Sequence, residues 1–257
     1  MADYGVTAGA DRLIGGDEDD VFNIVGSYMR TLSADDVISG GRGSDVLAFS
    51  GITSGLQLGP ERLVGLSSVE EIDITGVSGT RNIALDAATI RQADGNRLTV
   101  TFGSSPLIVG VLSKDPGDAL VLSGSGQVTL RNLNDQTVQL ADGVNGRVTG
   151  ADGNDTILGG NGNDTLAGGK NTDRLDGGAG NDVLDGGAGA DVIITGSGRD
   201  VVTGGSEADL FRVGPGSTTI TDFAVDFHLE RIDLRGVAAA TNFSKLTVTD
   251  TVAGAQI

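Results

Sequence analysis

Seven aspartates stand nine residues apart, at Asp155, Asp164, Asp173, Asp182, Asp191, Asp200 and Asp209. Carboxylates are ligands for hard cations, and an unbroken register of seven calls for one nine-residue unit stacked on itself. Alternate aspartates then form two columns. Asp155, Asp173, Asp191 and Asp209 lie on one edge of the stack, and Asp164, Asp182 and Asp200 on the other. Neighbours within a column sit one coil apart, roughly the 4.8 Å spacing of adjacent strands. Carboxylates that close repel one another and are stable only with a cation between them. A cage of carboxylate and carbonyl oxygens, without His or Cys, suits Ca²⁺, whereas Mg²⁺ demands a stricter octahedron and dehydrates reluctantly.

The elements that must hold these carboxylates can be read from the units themselves. From Gly150 to Arg212 the chain runs GADGNDTIL, GGNGNDTLA, GGKNTDRLD, GGAGNDVLD, GGAGADVII, TGSGRDVVT and GGSEADLFR. Glycine at positions one, two and four makes the first six residues a tight turn with inward carbonyls. The last three place one apolar residue between two outward ones: Ile157, Leu166, Leu175, Leu184, Ile193, Val202 and Phe211. That is a very short strand. Turn, strand, turn and strand close one coil in eighteen residues, predicting two facing parallel sheets with a core one residue deep.

The consensus GGxGxDxUx resembles the RTX, or hemolysin-type, calcium-binding repeat. The resemblance implies an all-β, right-handed parallel β-roll, or β-solenoid, with Ca²⁺ bound between the turns of successive coils. It further implies an extracellular protein exported by a one-step (type I) secretion machine. The candidate ligands are the seven aspartates together with turn residues Gly150, Asp152, Asn154, Gly159, Asn161, Asn163, Gly168, Gly177, Ala179, Asn181, Gly186 and Ala188. Three units depart from the consensus. Asn171 replaces the fourth glycine but tolerates a left-handed conformation. Thr195 replaces a first glycine. Glu207 replaces the fourth glycine of the last unit, where it is expected to strain the turn and weaken the site between Asp191 and Asp209.

The lattice is fainter near the start. GGDEDDVFN from Gly15 and GGRGSDVLA from Gly40 fit the unit, and Asp11 and Asp36 precede Asp20 and Asp45 by nine residues. The spacing from Asp11 to Asp36 is twenty-five, one coil plus seven, which predicts an excursion around residues 26–30. Asp11 should then stack on Asp36 and Asp20 on Asp45. Same-column pairs give five sites in the main roll and two at the start, so about five to seven Ca²⁺ ions are expected.

The expected organisation is a short degenerate roll at 1–49, irregular solenoid coils at 50–149, the nonapeptide roll at 150–213 and a capping segment at 214–257. Between 50 and 149 short alternating segments recur at 56–58, 69–74, 82–85, 97–102, 119–122, 127–130, 137–140 and 146–149, separated by turn residues. These favour one continuing parallel solenoid over an inserted β-sandwich, with a helical turn or two at 85–93. Phe223, Phe227, Ile232 and Leu234 are the expected plug of the open end, and His228 is read as a surface or cap residue, not a ligand. Residues 243–257 resemble the first of the strands that follow the cap in this family, and the start lacks a cap. Both ends are therefore expected to have been cut from something longer.

Composition narrows the function. Seventeen basic residues face 35 acidic ones, 29 of them Asp, for a net charge of −18. Nucleic acid and anionic membrane are poor partners for such a surface. There is no Cys, so no disulfide scaffold, and no apolar run of transmembrane length. A single His forbids an HExxH protease, and neither a GxSxG elbow nor a Cys nucleophile exists. No catalytic residue is assigned, and the chain is read as a non-enzyme. The leading expectation is a Ca²⁺-dependent structural, adhesive or secretion-assisting module, with cell-surface polysaccharide or self-association as further partners. The alternative is a polysaccharide lyase, epimerase or binding solenoid with an RTX tail, for which Arg81, Arg91, Arg97, Asp86, Asp94, Tyr4 and Tyr28 are the candidates.

Overall fold

A computed structural model describes residues 3–5, 11–25, 35–53, 56–59, 62–63, 65–79, 81–85, 89, 93, 97–104, 107–111, 119–124, 127–130, 135, 137–223, 230–235 and 246–248. The chain divides into two compact units, Met1–Arg131 and Asn132–Ile257. Both are built from parallel strands, and among the described residues no helix is long and apolar enough to cross a membrane.

The first unit holds β1 (Asp3–Gly5), β2 (Arg12–Ile14), β3 (Val21–Val25), β4 (Val37–Ser39), β5 (Val46–Ile52), β6 (Leu56–Leu58) and β7 (Leu66–Ser67). It continues with β8 (Glu71–Val77), β9 (Arg81–Leu85), β10 (Arg97–Thr101), β11 (Leu107–Val111), β12 (Ala119–Ser123) and β13 (Gln127–Leu130). Strands β1, β3, β5, β8, β10 and β12 make one face, β6, β9, β11 and β13 a second, and β2, β4 and β7 a third. The third face explains the long coil. Val46 pairs with Glu71, twenty-five residues on, and the coil between them contributes β5, β6 and β7, one strand to each face; Arg12 to Val37 and Val21 to Val46 keep the same spacing. The excursion expected at 26–30 lies outside the described residues.

The pairings within this unit are parallel, which excludes the antiparallel sandwich considered as the rival. Period-two alternation does the work. Phe22, Leu47 and Ile72 stack in register, as do Ile24 and Phe49 one step along, all facing inward and fully buried. Strand β11 was not expected from the sequence, and the helical turn anticipated at 85–93 lies largely outside the described residues, with Thr89 its one described helical position.

The second unit holds β14 (Thr137–Leu140), β15 (Arg147–Thr149), β16 (Thr156–Leu158), β17 (Thr165–Lys170), β18 (Arg174–Asp176) and β19 (Val183–Ala188). It ends with β20 (Val192–Ile194), β21 (Gly198–Ser206), β22 (Leu210–Arg212), β23 (Gly216–Ile220), β24 (Arg231–Asp233) and β25 (Leu246–Val248). Even-numbered strands from β14 to β24 form one sheet and odd-numbered strands from β15 to β25 the other. From β15 to β23 the register advances by eighteen residues, as in Arg147 to Thr165, Thr165 to Val183, Val183 to Val201 and Val201 to Thr219. One apolar side chain per strand points inward from β16 to β22: Ile157, Leu166, Leu175, Leu184, Ile193, Val202 and Phe211 are all fully or almost fully buried.

The segment expected to cap the roll contributes three described strands. Strands β23, β24 and β25 continue both sheets, and Ile232 stacks on Phe211 in register. Phe223 is half-buried there, with its ring centroid 6.2 Å from that of Phe211. Phe227 and His228 lie outside the described residues.

Candidate metal centre

The turns bring the position-six aspartates into the two expected columns and bury them. Asp155, Asp164, Asp173, Asp182, Asp191, Asp200 and Asp209 are each 1% exposed. A carboxylate held that deeply needs its orientation fixed, and the backbone supplies it. The amide of each aspartate donates to Oδ1 of the aspartate eighteen residues later. This holds for Asp155 to Asp173 (2.7 Å), Asp164 to Asp182 (2.8 Å), Asp173 to Asp191 (2.7 Å), Asp182 to Asp200 (3.1 Å) and Asp191 to Asp209 (2.9 Å). The amide of Gly146 starts the second column by donating to Asp164.

The other carboxylate oxygen decides the chemistry. Oδ2 of Asp164, Asp173, Asp182 and Asp191, and of Asp45 in the first unit, is buried without any hydrogen-bond partner. Burying a carboxylate oxygen with nothing to bind is expensive unless a charge meets it. The space it faces lies against the position-one glycine of its own turn. A Cβ on Gly177 would meet Oδ2 of Asp182 at 2.5 Å and the carbonyl oxygen of Thr195 at 2.8 Å. Gly159, Gly168 and Gly186 likewise face Oδ2 of their own aspartate together with the carbonyl of Gly177, Gly186 and Gly204 in the next coil. Each turn thus leaves a side-chain-free cradle lined by one carboxylate oxygen and one carbonyl oxygen from adjacent coils.

The electrostatics agree. With no cation, desolvation pushes Asp173 and Asp191 up to about 7 and Asp182 to about 6. The amide bond from the preceding coil opposes that rise, and neighbouring carboxylates add to it. Burial also raises Asp164, Asp200 and Asp45. Among the described residues no three acidic, imidazole or thiolate side chains converge on one point, so a cation here is shared between carboxylates and carbonyls. That donor set is all oxygen and flexible, which fits Ca²⁺.

A family model of the RTX calcium-binding nonapeptide repeat matches four stretches, residues 6–23, 29–49, 149–184 and 185–220. The chain carries RTX calcium-binding repeats. No curated protein and no solved structure significantly similar to the whole chain was found.

The RTX matches at 6–23 and 29–49 coincide with the same geometry in the longer coils. Asp11 donates its amide to Oδ1 of Asp36 and Asp20 donates to Oδ1 of Asp45, both at 2.8 Å. Asp20, Asp36 and Asp45 are buried, and Asp11 is half-buried. Gly40 faces Oδ2 of Asp45 and the carbonyl of Ser68, so that turn has a cradle like those of the main roll. The sequence reading missed the next rung. The amide of Asp45 donates to Oε2 of Glu70, again twenty-five residues on, a glutamate where an aspartate was sought.

Turn residues beside the RTX aspartates fall into different roles. Gly150, Gly159, Gly168, Gly177 and Gly186 back the cradles. Asn163 and Asn181 direct Oδ1 to the amides of Asn181 and Arg199, and Asn154 to that of Thr172, forming an exposed ladder on the outside of the turn. Asn161 and Ala179 bridge in parallel, Asp152 bridges to Lys170 and pairs with its ammonium at 3.0 Å, and Ala188 ends β19. Asn171 and Glu207 both adopt positive φ, 73° and 82°, where other turns carry glycine.

Of the residues named for a polysaccharide-active site, three are described, Arg81, Arg97 and Tyr4. Arg81 faces inward, 1% exposed, its three guanidinium nitrogens without a partner, and burial lowers its pKa. Arg97 is exposed at the start of β10, and Tyr4 lies in β1. Arg91, Asp86, Asp94 and Tyr28 are outside the described residues.

Proposed function

We propose that this chain is a calcium-loaded structural module of an extracellular protein, whose roll folds when Ca²⁺ enters the cradles and then serves as a rigid, adhesive or export-assisting segment. One observation carries the reading: buried Oδ2 atoms recur at the same turn position, each facing a carbonyl of the next coil across a cradle that only glycine leaves open. Asp164, Asp173, Asp182, Asp191 and Asp45 would hold the ions with those carbonyls, and a bound dication would supply the positive charge the columns lack. One inward apolar side chain per nine residues is a thin core, and the chain entropy and self-repulsion of an acidic repeat oppose folding. Extracellular Ca²⁺ modules bind in roughly the 10⁻⁴–10⁻³ M range, which matches calcium outside cells and not in the cytosol.

Circular dichroism of the chain in EGTA and in millimolar Ca²⁺ tests this. The β signal of residues 150–212 should be largely lost on chelation and return with Ca²⁺. An unchanged spectrum after complete chelation, with no heat of Ca²⁺ binding by calorimetry, would sink the proposal.

A further inference from the structure

One turn of the lattice differs from the rest in a way that changes what it can hold. The unit at 195–200 has threonine at position one, where the other main-roll turns have glycine, and Thr195 is completely buried. Its hydroxyl bonds to the carboxylate of Asp200. The same hydroxyl receives the amide of Gly214 at 3.1 Å and the hydroxyl of Thr218 at 3.3 Å. Unlike Asp164 and Asp182 below it in the same column, Asp200 keeps no buried oxygen without a partner.

Thr218 completes the contrast. It pairs in register with Asp200, so it occupies the place of the column's next carboxylate. The column therefore reads Asp164, Asp182, Asp200, Thr218, and its last rung offers one carboxylate and two neutral hydroxyls. Calcium is held by several oxygens at once, with an affinity that rises with their charge, and here the cradle is already filled by a buried β-branched side chain whose hydroxyl engages the carboxylate.

We propose that the Asp200 turn is closed by the Thr195–Thr218 hydroxyl pair and takes no Ca²⁺, making it a metal-free end to that column. Thr195 has two faces in this arrangement. Its carbonyl lines the cradle of Asp182 and Gly177 below, while its side chain seals the cradle above.

This inference rests on the calcium reading given above, and the experiment separates the two. Bound Ca²⁺ is counted by native mass spectrometry and calorimetry on the full chain, on Thr195→Gly/Thr218→Asp and on Thr195→Val. The double substitution restores the consensus and should bind about one ion more than the parent. Thr195→Val keeps the volume and removes the hydroxyl, so its ion count should equal the parent's while its unfolding midpoint falls. An unchanged count in a folded double variant overturns the proposal, as does an ion lost in Thr195→Val, which would make the hydroxyl a ligand. If the double variant does not fold in Ca²⁺, the valine variant decides alone. A parent chain that binds no Ca²⁺ overturns both readings together.

Discussion

The backbone amide of Asp173 donates to Oδ1 of Asp191, 2.7 Å away and one coil further along. Asp173 itself accepts the amide of Asp155 in the same way. Asp173 and Asp191 are thus each anchored by Oδ1, while Oδ2 is buried without a hydrogen-bond partner.

Asp173 stands between two neighbours in its column, so Asp173→Ala should lower the bound Ca²⁺ by about two ions, and by more if unfolding spreads along the roll. Asp155→Ala, at the column's start, should remove fewer. Calorimetric stoichiometry checks both, and an unchanged count for Asp173→Ala would refute the column assignment.

The cradle makes a sharper steric prediction. Gly177→Ala would drive a methyl into Oδ2 of Asp182 and the Thr195 carbonyl, whereas a Cβ on Gly16 meets nothing within 4 Å. Gly177→Ala should lose calcium and raise the Ca²⁺ concentration needed for folding. Gly16→Ala should match the parent in the same titration by circular dichroism.

Acid should act in opposite directions with and without metal. Without Ca²⁺, burial places Asp173 and Asp191 near 7 and Asp182 near 6, above their unfolded values, so the folded roll binds protons that the unfolded chain has released. That raised affinity favours the metal-free roll at low pH and is lost as pH climbs from about 4 to about 7. The EGTA-treated chain should therefore show more β signal at pH 5 than at pH 8. The Ca²⁺-loaded chain should bind its ions more weakly at pH 5, because protons compete for the same oxygens. Equal metal-free spectra at both pH values would contradict this.

Glu207 holds φ at 82°, a conformation in which other turns use glycine. Glu207→Gly should stabilise the calcium-loaded roll by about 1 kcal/mol, the left-handed penalty of a side chain. Denaturant unfolding at saturating Ca²⁺ measures it.

Arg81 is the least comfortable side chain in the first unit. Its register neighbours are Leu56 and Leu107, and its guanidinium is buried without a partner. Arg81→Leu should raise the stability of that unit by roughly 1–4 kcal/mol. A lower melting temperature for the leucine variant would show that the charge has a stabilising role.

The nonapeptide roll was legible because every unit repeats one instruction, and a nine-residue period leaves no freedom in where Asp155 to Asp209 can fall. The three-sided coils were harder. A spacing of twenty-five was visible from Asp11 to Asp36, but the third face rests on strands of two or three residues, β2, β4 and β7, too short to carry a period. Glu70 escaped because it offers a carboxylate from a longer side chain outside any GGxGxD frame. Asp222 escaped for a similar reason. It was assigned to a cap, yet it receives the amides of Gly204 at 2.9 Å and Gly205 at 2.7 Å and so belongs to the turns. Thr195 was visible as a missing glycine and placed without consequence, and the weak site was expected at Glu207. Only the packed turn shows the Thr195 hydroxyl bonded to Gly214 and Thr218, while Gly204 faces Oδ2 of Asp209.

In the column of Asp164, Asp182 and Asp200 two ladders run in opposite senses. The aspartate ladder points forward, each coil's amide seating the acid of the coil that follows. The asparagine ladder points backward, Asn163 and Asn181 each taking the amide of the following coil. A stack laced both ways has no loose end to peel. Removing the first coil leaves the next aspartate without its anchor, and removing the last leaves an asparagine with nothing to accept. Each junction between coils of this column is crossed by one rung of each kind, so fraying from either end must break both.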